Sequence, residues 1–72
     1  MTEVVVTIRA FDGNSNRFMS ETIYAQTKEE FNKRVDNFIA GVPFSRFHIT
    51  IKSEDVDLTP EQIGIMEDHQ VD

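Results

Sequence analysis

One segment of the chain carries apolar residues at helical spacing, and it lies between segments whose apolar residues alternate. Its apolar stripe consists of Phe31, Val35, Phe38 and Ile39, at i, i+4, i+7 and i+8. Thr27 and Glu30 supply a capping box, in which the Glu30 carboxylate should reach back to the Thr27 amide. Gly41 ends the pattern, and Pro43 prevents its continuation. The pattern predicts a helix over residues 28–40 with one face in a core.

The segments on either side of this helix show the two-residue period of half-buried strands. Residues 3–11 and 17–25 are separated by the turn-forming cluster Asp12-Gly13-Asn14-Ser15-Asn16, which predicts an antiparallel hairpin. Residues 44–52 form a third strand candidate, with Phe47, Ile49 and Ile51 on one face. The centre of the core is expected to consist of Val6, Val35, Phe38 and Ile49.

The order β-β-α-β indicates an α+β fold, with a three-stranded sheet and the helix packed on one face. A short acidic C-terminal helix is expected to follow, because Thr59 can cap it and Pro60 suits its first position. The simplest sheet is antiparallel throughout, but a parallel third strand would give a mixed sheet, so the strand order stays open.

The last twenty residues hold all of the net charge of the chain. Residues 1–52 contain seven basic and six acidic residues, whereas residues 53–72 contain seven acids and no Lys or Arg, which gives the net charge of −6. We therefore expect a compact β-β-α-β body over 1–52 and an acidic segment over 53–72, within one domain. Whether the acidic segment docks on the body is open at this stage.

Acidic clusters suggest metal binding, but the spacing here does not fit a calcium loop. Such a loop needs Gly at its sixth position and a bidentate Glu at its twelfth. Counted from Asp55, those positions hold Pro60 and Met66; counted from Asp12, the sixth position holds Arg17. The chain has no Cys, which excludes disulfides and thiolate zinc sites. We expect no metal.

The residues that support catalysis lack the partners that catalysis requires. His48 lies at a solvent-facing strand position and His69 lies near the end of the chain, and neither has further ligands at metal-binding spacing. The sequence contains no nucleophile elbow and no phosphate-binding glycine loop. We therefore expect a protein that is not an enzyme and uses no cofactor.

The sequence pattern shows neither a signal peptide nor a membrane span. Its first residues lack a basic region followed by a long apolar stretch, and its longest apolar runs, such as Val4 to Val6, are three residues. The expected location is the cytoplasm, with no membrane contact.

The first candidate site is the acidic segment, as a surface for a basic protein partner. Its residues are Glu54, Asp55, Asp57, Glu61, Glu67 and Asp68. We interpret the chain as a non-catalytic interaction module, plausibly an inhibitor that covers the nucleic-acid-binding surface of its partner by charge mimicry. A solvated face, or an acidic segment folded back onto the basic sheet face, are the structural alternatives.

The second candidate site is the outer face of the sheet, which would bind nucleic acid. Its residues are Arg9, Phe11, Arg46, His48 and Lys52, with Phe18 or Tyr24 as possible additions. Basic and aromatic side chains interleaved on an open sheet are typical of single-strand RNA binders. A third hypothesis is a homo-oligomer, such as a homodimer, in which open strand edges pair between subunits.

In size, β-β-α-β order and acidic surface, the chain is similar to several phage-encoded inhibitors, including some anti-CRISPR proteins. The similarity involves size, topology and charge, and it assigns no role to any single residue. It implies an inhibitor that acts by binding another protein.

Overall fold

A computed structural model describes residues 2–72. Its elements are β1 (Val4–Asp12), β2 (Phe18–Ala25), α1 (Lys28–Ala40), β3 (Phe47–Ser53) and α2 (Pro60–Ile65). The α+β class and the β-β-α-β order with a short C-terminal helix are thereby confirmed. The third strand begins later than the sequence predicts, because residues 42–46 form the connection from α1 and the first β1–β3 pair joins Asp12 to Phe47.

The sheet has the strand order β2-β1-β3, with both neighbours antiparallel to β1. The register places Ile8 opposite Glu21 on β2 and Ile51 on β3. A mixed sheet is therefore not formed. Strands β2 and β3 lie on opposite sides of β1. The connection that contains α1 therefore crosses over β1 on one face of the sheet and leads from the β2 edge to the β3 edge.

Helix α1 begins with the expected Thr27 cap but with a different reciprocal bond. The Thr27 hydroxyl accepts from the Glu30 amide at 3.1 Å. The Glu30 carboxylate accepts from the Gln26 amide at 2.9 Å rather than from the Thr27 amide. At the other end, Gly41 keeps a right-handed conformation and its amide donates to the carbonyls of Asn37 and Phe38. The helix therefore ends without a left-handed residue.

The hairpin turn is held by side chains. Asp12 accepts through Oδ1 from the Asn14 amide at 2.9 Å and through Oδ2 from the Ser15 hydroxyl at 2.8 Å. Gly13 is needed for a close approach: its amide donates to the Arg46 carbonyl at 2.7 Å, and a Cβ there would lie 3.1 Å from Arg46 Cγ. The turn thus contacts the segment that precedes β3.

The core lies between the sheet and the two helices. It contains Val4, Val6, Ile8, Ala10, Ile23, Ala25, Phe31, Val35, Phe38, Ile51, Ile65 and Met66. Of the four residues predicted for its centre, Val6, Val35 and Phe38 are buried, but Ile49 is only half-buried. Ile49 lies on edge strand β3, whereas α1 packs closest to β2, so the helix does not cover it.

The acidic segment docks on the body. Ile65 and Met66 are buried in the shared core, and a complete capping box between Thr59 and Gln62 starts α2. The chain then returns to the edge of β3, where the backbone of Asp72 donates to Ile51 and accepts from Ser53, at 2.9 and 3.0 Å. Residues from both 1–52 and 53–72 therefore build one core.

Candidate functional site

The six predicted acidic residues separate into two groups. Glu67 and Asp68 lie against α1, where Lys28 Nζ is 2.7 Å from Glu67 Oε1 and 3.5 Å from Asp68 Oδ1. Asn32 also donates to Asp68 Oδ2 at 2.7 Å. These two carboxylates therefore take part in docking the C-terminal segment, and the one positive charge of Lys28 compensates part of their negative charge.

The charge of this docking contact is reflected in two pKa values. The hydrogen bond to Glu67, and then the nearby charges of Asp68 and Glu67, raise the pKa of Lys28. The hydrogen bond from Asn32, reinforced by the charge of Lys28, lowers the pKa of Asp68. Both shifts favour the charged forms that make the contact.

The other four acids lie in the loop before α2 and in its first turn, close to the start of β1, where the Thr2 hydroxyl donates to Glu61 Oε2 at 3.1 Å. Together with the exposed Glu3, we call Glu54, Asp55, Asp57 and Glu61 the acidic end. The side chain of Gln62 joins its parts, since Nε2 donates to the Glu3 carbonyl at 3.1 Å and to Asp55 Oδ2 at 3.2 Å. Glu3 was missed because more than fifty residues separate it from its neighbours, and no local pattern could indicate the contact.

The loop at the acidic end has a defined shape. The Ser53 hydroxyl accepts from the Asp55 amide at 3.1 Å, and the Glu54 amide donates to the Val5 carbonyl at 2.9 Å. Glu54 also accepts a hydrogen bond from the Thr7 hydroxyl through its carboxylate. At the tip, Val56 is 97% exposed between two aspartates. The loop thus presents one apolar side chain between two negatively charged neighbours in the sequence.

The negative charge of the acidic end is not compensated by ion pairs. Within residues 2–72, the ion pairs join Lys28 to Glu67 and Asp68, and Arg34 to Glu30. None of them involves a carboxylate of the acidic end. Clustered exposed charge of one sign produces a local potential that attracts basic surfaces.

The second predicted site lies on the face of the sheet that points away from both helices. We call this the outer face; it consists of Val5, Thr7, Arg9, Phe11, Phe18, Ser20, Thr22, Tyr24, His48, Thr50 and Lys52. The helices cover the other face, where Met19, Ile23 and Ala25 of β2 point. Phe18 and Tyr24, which the sequence analysis gave as possible additions to this site, therefore both lie on the outer face.

Three aromatic side chains form a row across the outer face. Phe11 on the central strand is paired with Phe18 and His48, with ring centroids 5.9 Å and 5.1 Å away. The Phe11 and His48 rings are nearly parallel, and the Arg9 guanidinium lies 5.2 Å from the Phe18 centroid. The row therefore combines π surfaces with a cation held over one of them.

The other two predicted cations border this row without joining it. Lys52 lies further along β3 and lines a shallow depression of about 500 Å³ with Arg9, Glu54 and Asp72. Arg46 precedes β3 and lies against the hairpin turn. Helix α2 packs against α1, so the acidic helix does not cover the outer face.

The two edges of the sheet differ. At the end of β3, the Asp72 backbone donates one hydrogen bond to Ile51 and accepts one from Ser53, whereas within residues 2–72 β2 has a strand neighbour only on its β1 side. An open edge of this kind is where the hypothesis of pairing between subunits would apply.

Other chemical features are few in the part of the chain that the structure describes. No helix over residues 2–72 is both long and apolar enough to cross a membrane. No group of three or more His, Asp or Glu side chains in that range is arranged to hold a metal ion. The buried residues of the same range are all apolar.

Comparisons with known proteins return no relative. No family model matches the chain, no curated protein matches it, and no solved structure matches its fold.

Proposed function

We propose that this protein is a small non-catalytic interaction module whose acidic end binds a basic surface on a partner protein. The observation that carries the proposal is the ordered loop at the acidic end, which exposes Val56 among carboxylates that form no ion pair with a described Lys or Arg. The bound surface would be one that otherwise holds nucleic acid, with carboxylates in place of phosphates. The consequence of binding would be inhibition of the partner.

The order of the loop supports a binding role over a purely solubilising one. Charge alone keeps a protein soluble without any fixed geometry. Here Ser53 bonds the Asp55 amide and Gln62 bonds its carboxylate, so this charge has a set position before a partner arrives. A preorganised surface loses less conformational entropy on binding and therefore binds more tightly.

Val56 gives the proposed surface an apolar contact at its centre. Protein interfaces gain most of their free energy from a few desolvated side chains, surrounded by polar groups that exclude water. Val56 is 97% exposed and flanked by Asp55 and Asp57, so it supplies a small apolar contact of this kind, although aromatic side chains and Arg are more common in that role than Val. The partner surface would then combine a small apolar depression with Lys or Arg around it.

The experiment compares three forms of the full chain as bait in extracts of the native host. The test variant is D55N/D57N/E61Q, which removes three charges from the acidic end. The control variant is E21Q/E29Q/D36N, which removes three charges from exposed positions elsewhere. We expect wild type and control to retain the same basic protein, and the test variant to lose it, because only the test variant alters the proposed surface.

A second step decides whether binding means inhibition. The retained protein is purified and its nucleic-acid binding is measured with and without the wild-type chain. Competition that the control variant reproduces and the test variant does not would support charge mimicry. Equal retention by all three baits, or binding without competition, would contradict the proposal.

A further inference from the structure

We propose that the outer face of the sheet binds a short single strand of nucleic acid, at a site separate from the acidic end. Two observations carry the inference: the aromatic row formed by Phe18, Phe11 and His48, and the cations Arg9, Arg46 and Lys52 around it. The face is uncovered, since both helices pack on the other side. This inference goes beyond the proposed function and does not depend on it.

The distribution of charge explains how a chain of net charge −6 can attract a polyanion. Of its 7 Lys and Arg residues, three border the outer face. Two carboxylates, Glu54 and Asp72, line the same depression as Arg9, Phe11 and Lys52, whereas Phe18 and His48 lie outside it. The charged side chains that the strands themselves place on the outer face, Arg9 and Lys52, are both basic, and a local cluster of this kind can outweigh the net charge at short range.

The aromatic row favours nucleic acid over an acidic peptide as the occupant. Phe18 is 53% exposed and Phe11 lies beside it on the central strand, so ring surface faces the solvent. Bases stack on such rings, whereas Asp and Glu side chains have no planar group of comparable size to stack. In a duplex the base faces are stacked on one another, so a single strand is the form that can use the row.

The positions of the cations fit a strand that crosses the sheet. Arg9 is held over Phe18, which places its charge at the row itself. Arg46 and Lys52 lie on either side of His48 along the β3 side of the sheet. Three phosphate contacts predict a slope of about −2 for the logarithm of the binding constant against the logarithm of salt concentration, from about −0.7 per phosphate in single strands.

Fluorescence anisotropy with a labelled oligomer of about twelve thymidines tests this site on the full chain. We expect saturable binding at low salt that weakens with the slope given above. Phe18→Ala should weaken binding about tenfold and leave the slope unchanged, because it removes stacking but no charge. Arg9→Gln should weaken binding and make the slope shallower by about 0.7, because it removes one phosphate contact.

Two control variants match these changes elsewhere on the surface. Ile63→Ala removes a side chain that is also 53% exposed but lies on α2, and Lys33→Gln removes an exposed charge from α1. Both should leave affinity and slope unchanged. Phe18→Leu keeps the apolar volume without a ring, and it should bind as weakly as Phe18→Ala even if the smaller side chain affects the hairpin.

Several results would overturn the inference. Absence of saturable binding at low salt is one. Equal affinity for a duplex, or for polyglutamate of similar length, would mean that only charge is recognised.

The variant D55N/D57N/E61Q should bind the oligomer at least as well as wild type does. The two proposals are tested with substitutions at different residues. If the oligomer does not bind, the proposed function of the acidic end is unaffected, and if no partner is captured, the inference about the outer face is unaffected.

Discussion

At the scale of single residues, Gln62 links three segments that are distant in sequence. Its Oε1 accepts from the Thr59 amide at 2.9 Å and so closes the capping box of α2. Its Nε2 reaches the start of β1 at Glu3 and the acidic loop at Asp55. A glutamate at this position would keep the cap but would lose both donated bonds, and this separates the two roles of the side chain.

We expect Gln62→Glu to destabilise the protein by about 1–2 kcal/mol at neutral pH, because a carboxylate would face the Asp55 carboxylate where an amide now donates. Thermal melts of wild type and variant at neutral pH provide the measurement. A variant as stable as wild type at neutral pH would show that the Gln62 bonds do not hold the loop.

Acid and alkaline limits of stability follow from three charged residues. Hydrogen bonds from the Asn14 backbone and the Ser15 side chain lower the pKa of Asp12, and the bond from Asn32 lowers that of Asp68, from an ordinary value of 3.8. A carboxyl group whose pKa is lowered by folding stabilises the fold at pH values above its ordinary pKa. This stabilisation is lost as the pH falls through the folded-state pKa. The pKa of Lys28 is raised, so its contribution to stability is complete below pH 10.5. That contribution is lost as the pH rises through the raised pKa.

The corresponding variant is Asp68→Asn, followed by thermal melts as a function of pH. It should melt below wild type at neutral pH, and the gap should close as the pH falls below 3.8, where the wild-type carboxyl becomes protonated. Asp57→Asn is the control, because Asp57 is exposed on the acidic loop, away from Lys28. A gap that persists at low pH would assign the loss to something other than the Asp68 charge.

At the scale of the elements, each helix closes a different part of the core. Helix α1 contributes Phe31, Val35 and Phe38 over the sheet, nearest to β2. Helix α2 and the residue that follows it contribute Ile65 and Met66. A chain of this size is expected to retain only about 3–5 kcal/mol of net stability, so loss of one large contact in either helix should be decisive.

Phe38→Ala should cost about 3–5 kcal/mol, the usual range for a buried Phe, and should leave the protein largely unfolded at room temperature. Ile49→Ala is the informative comparison, because Ile49 is only half-buried on β3 and should cost clearly less. Urea titrations followed by circular dichroism measure both. A cooperative, near-wild-type transition for Phe38→Ala would mean that the α1 face is assigned wrongly.

Met66→Ala tests whether the acidic segment is part of the folded unit. Met66 is 3% exposed, so its truncation should cost about 2–4 kcal/mol. Ile63→Ala, three residues earlier and largely exposed, should change stability by less than about 0.5 kcal/mol. If both variants melted like wild type, residues 53–72 would not contribute to the core.

At the scale of the whole molecule, opposite charges lie on different surfaces. The acidic end is beside the start of β1, whereas the aromatic row is near the hairpin end of the same strand. The long dimension of the molecule is 39 Å, several times the Debye length of about 8 Å at physiological ionic strength. Charges at opposite ends of the molecule are therefore screened from one another, whereas Glu54 of the acidic end meets Arg9 of the outer face in one depression.

This separation predicts a salt-dependent association with the basic partner of the proposed function. The association rate should fall steeply as salt rises, because steering by the acidic end is screened. D55N/D57N/E61Q should associate about tenfold more slowly at low salt and show a flatter salt dependence. Stopped-flow or surface-based kinetics measure both rates. Association that is fast and independent of salt would show that apolar contact, rather than charge, drives binding.

The sequence by itself determined the elements and the α+β class, because their causes are local. A helical stripe with a Thr27 cap and a Pro43 stop, and strands of period two around a turn cluster, depend only on neighbours along the chain. Arg9, Phe11, His48 and Lys52 of the outer face were also predictable, since alternation assigns them to one side of β1 or β3, whereas the facing of β2 was decided by the structure.

Only the tertiary structure decided which distant residues meet. The antiparallel placement of β3 beside β1, the incomplete burial of Ile49 and the docking of Met66 all depend on how the elements pack. The same packing divided the six predicted acids, since Lys28 pairs with Glu67 and Asp68 while Gln62 draws Glu3 and Asp55 together. Local sequence cannot specify such contacts, because their free energy comes from groups that become neighbours only after the chain has folded.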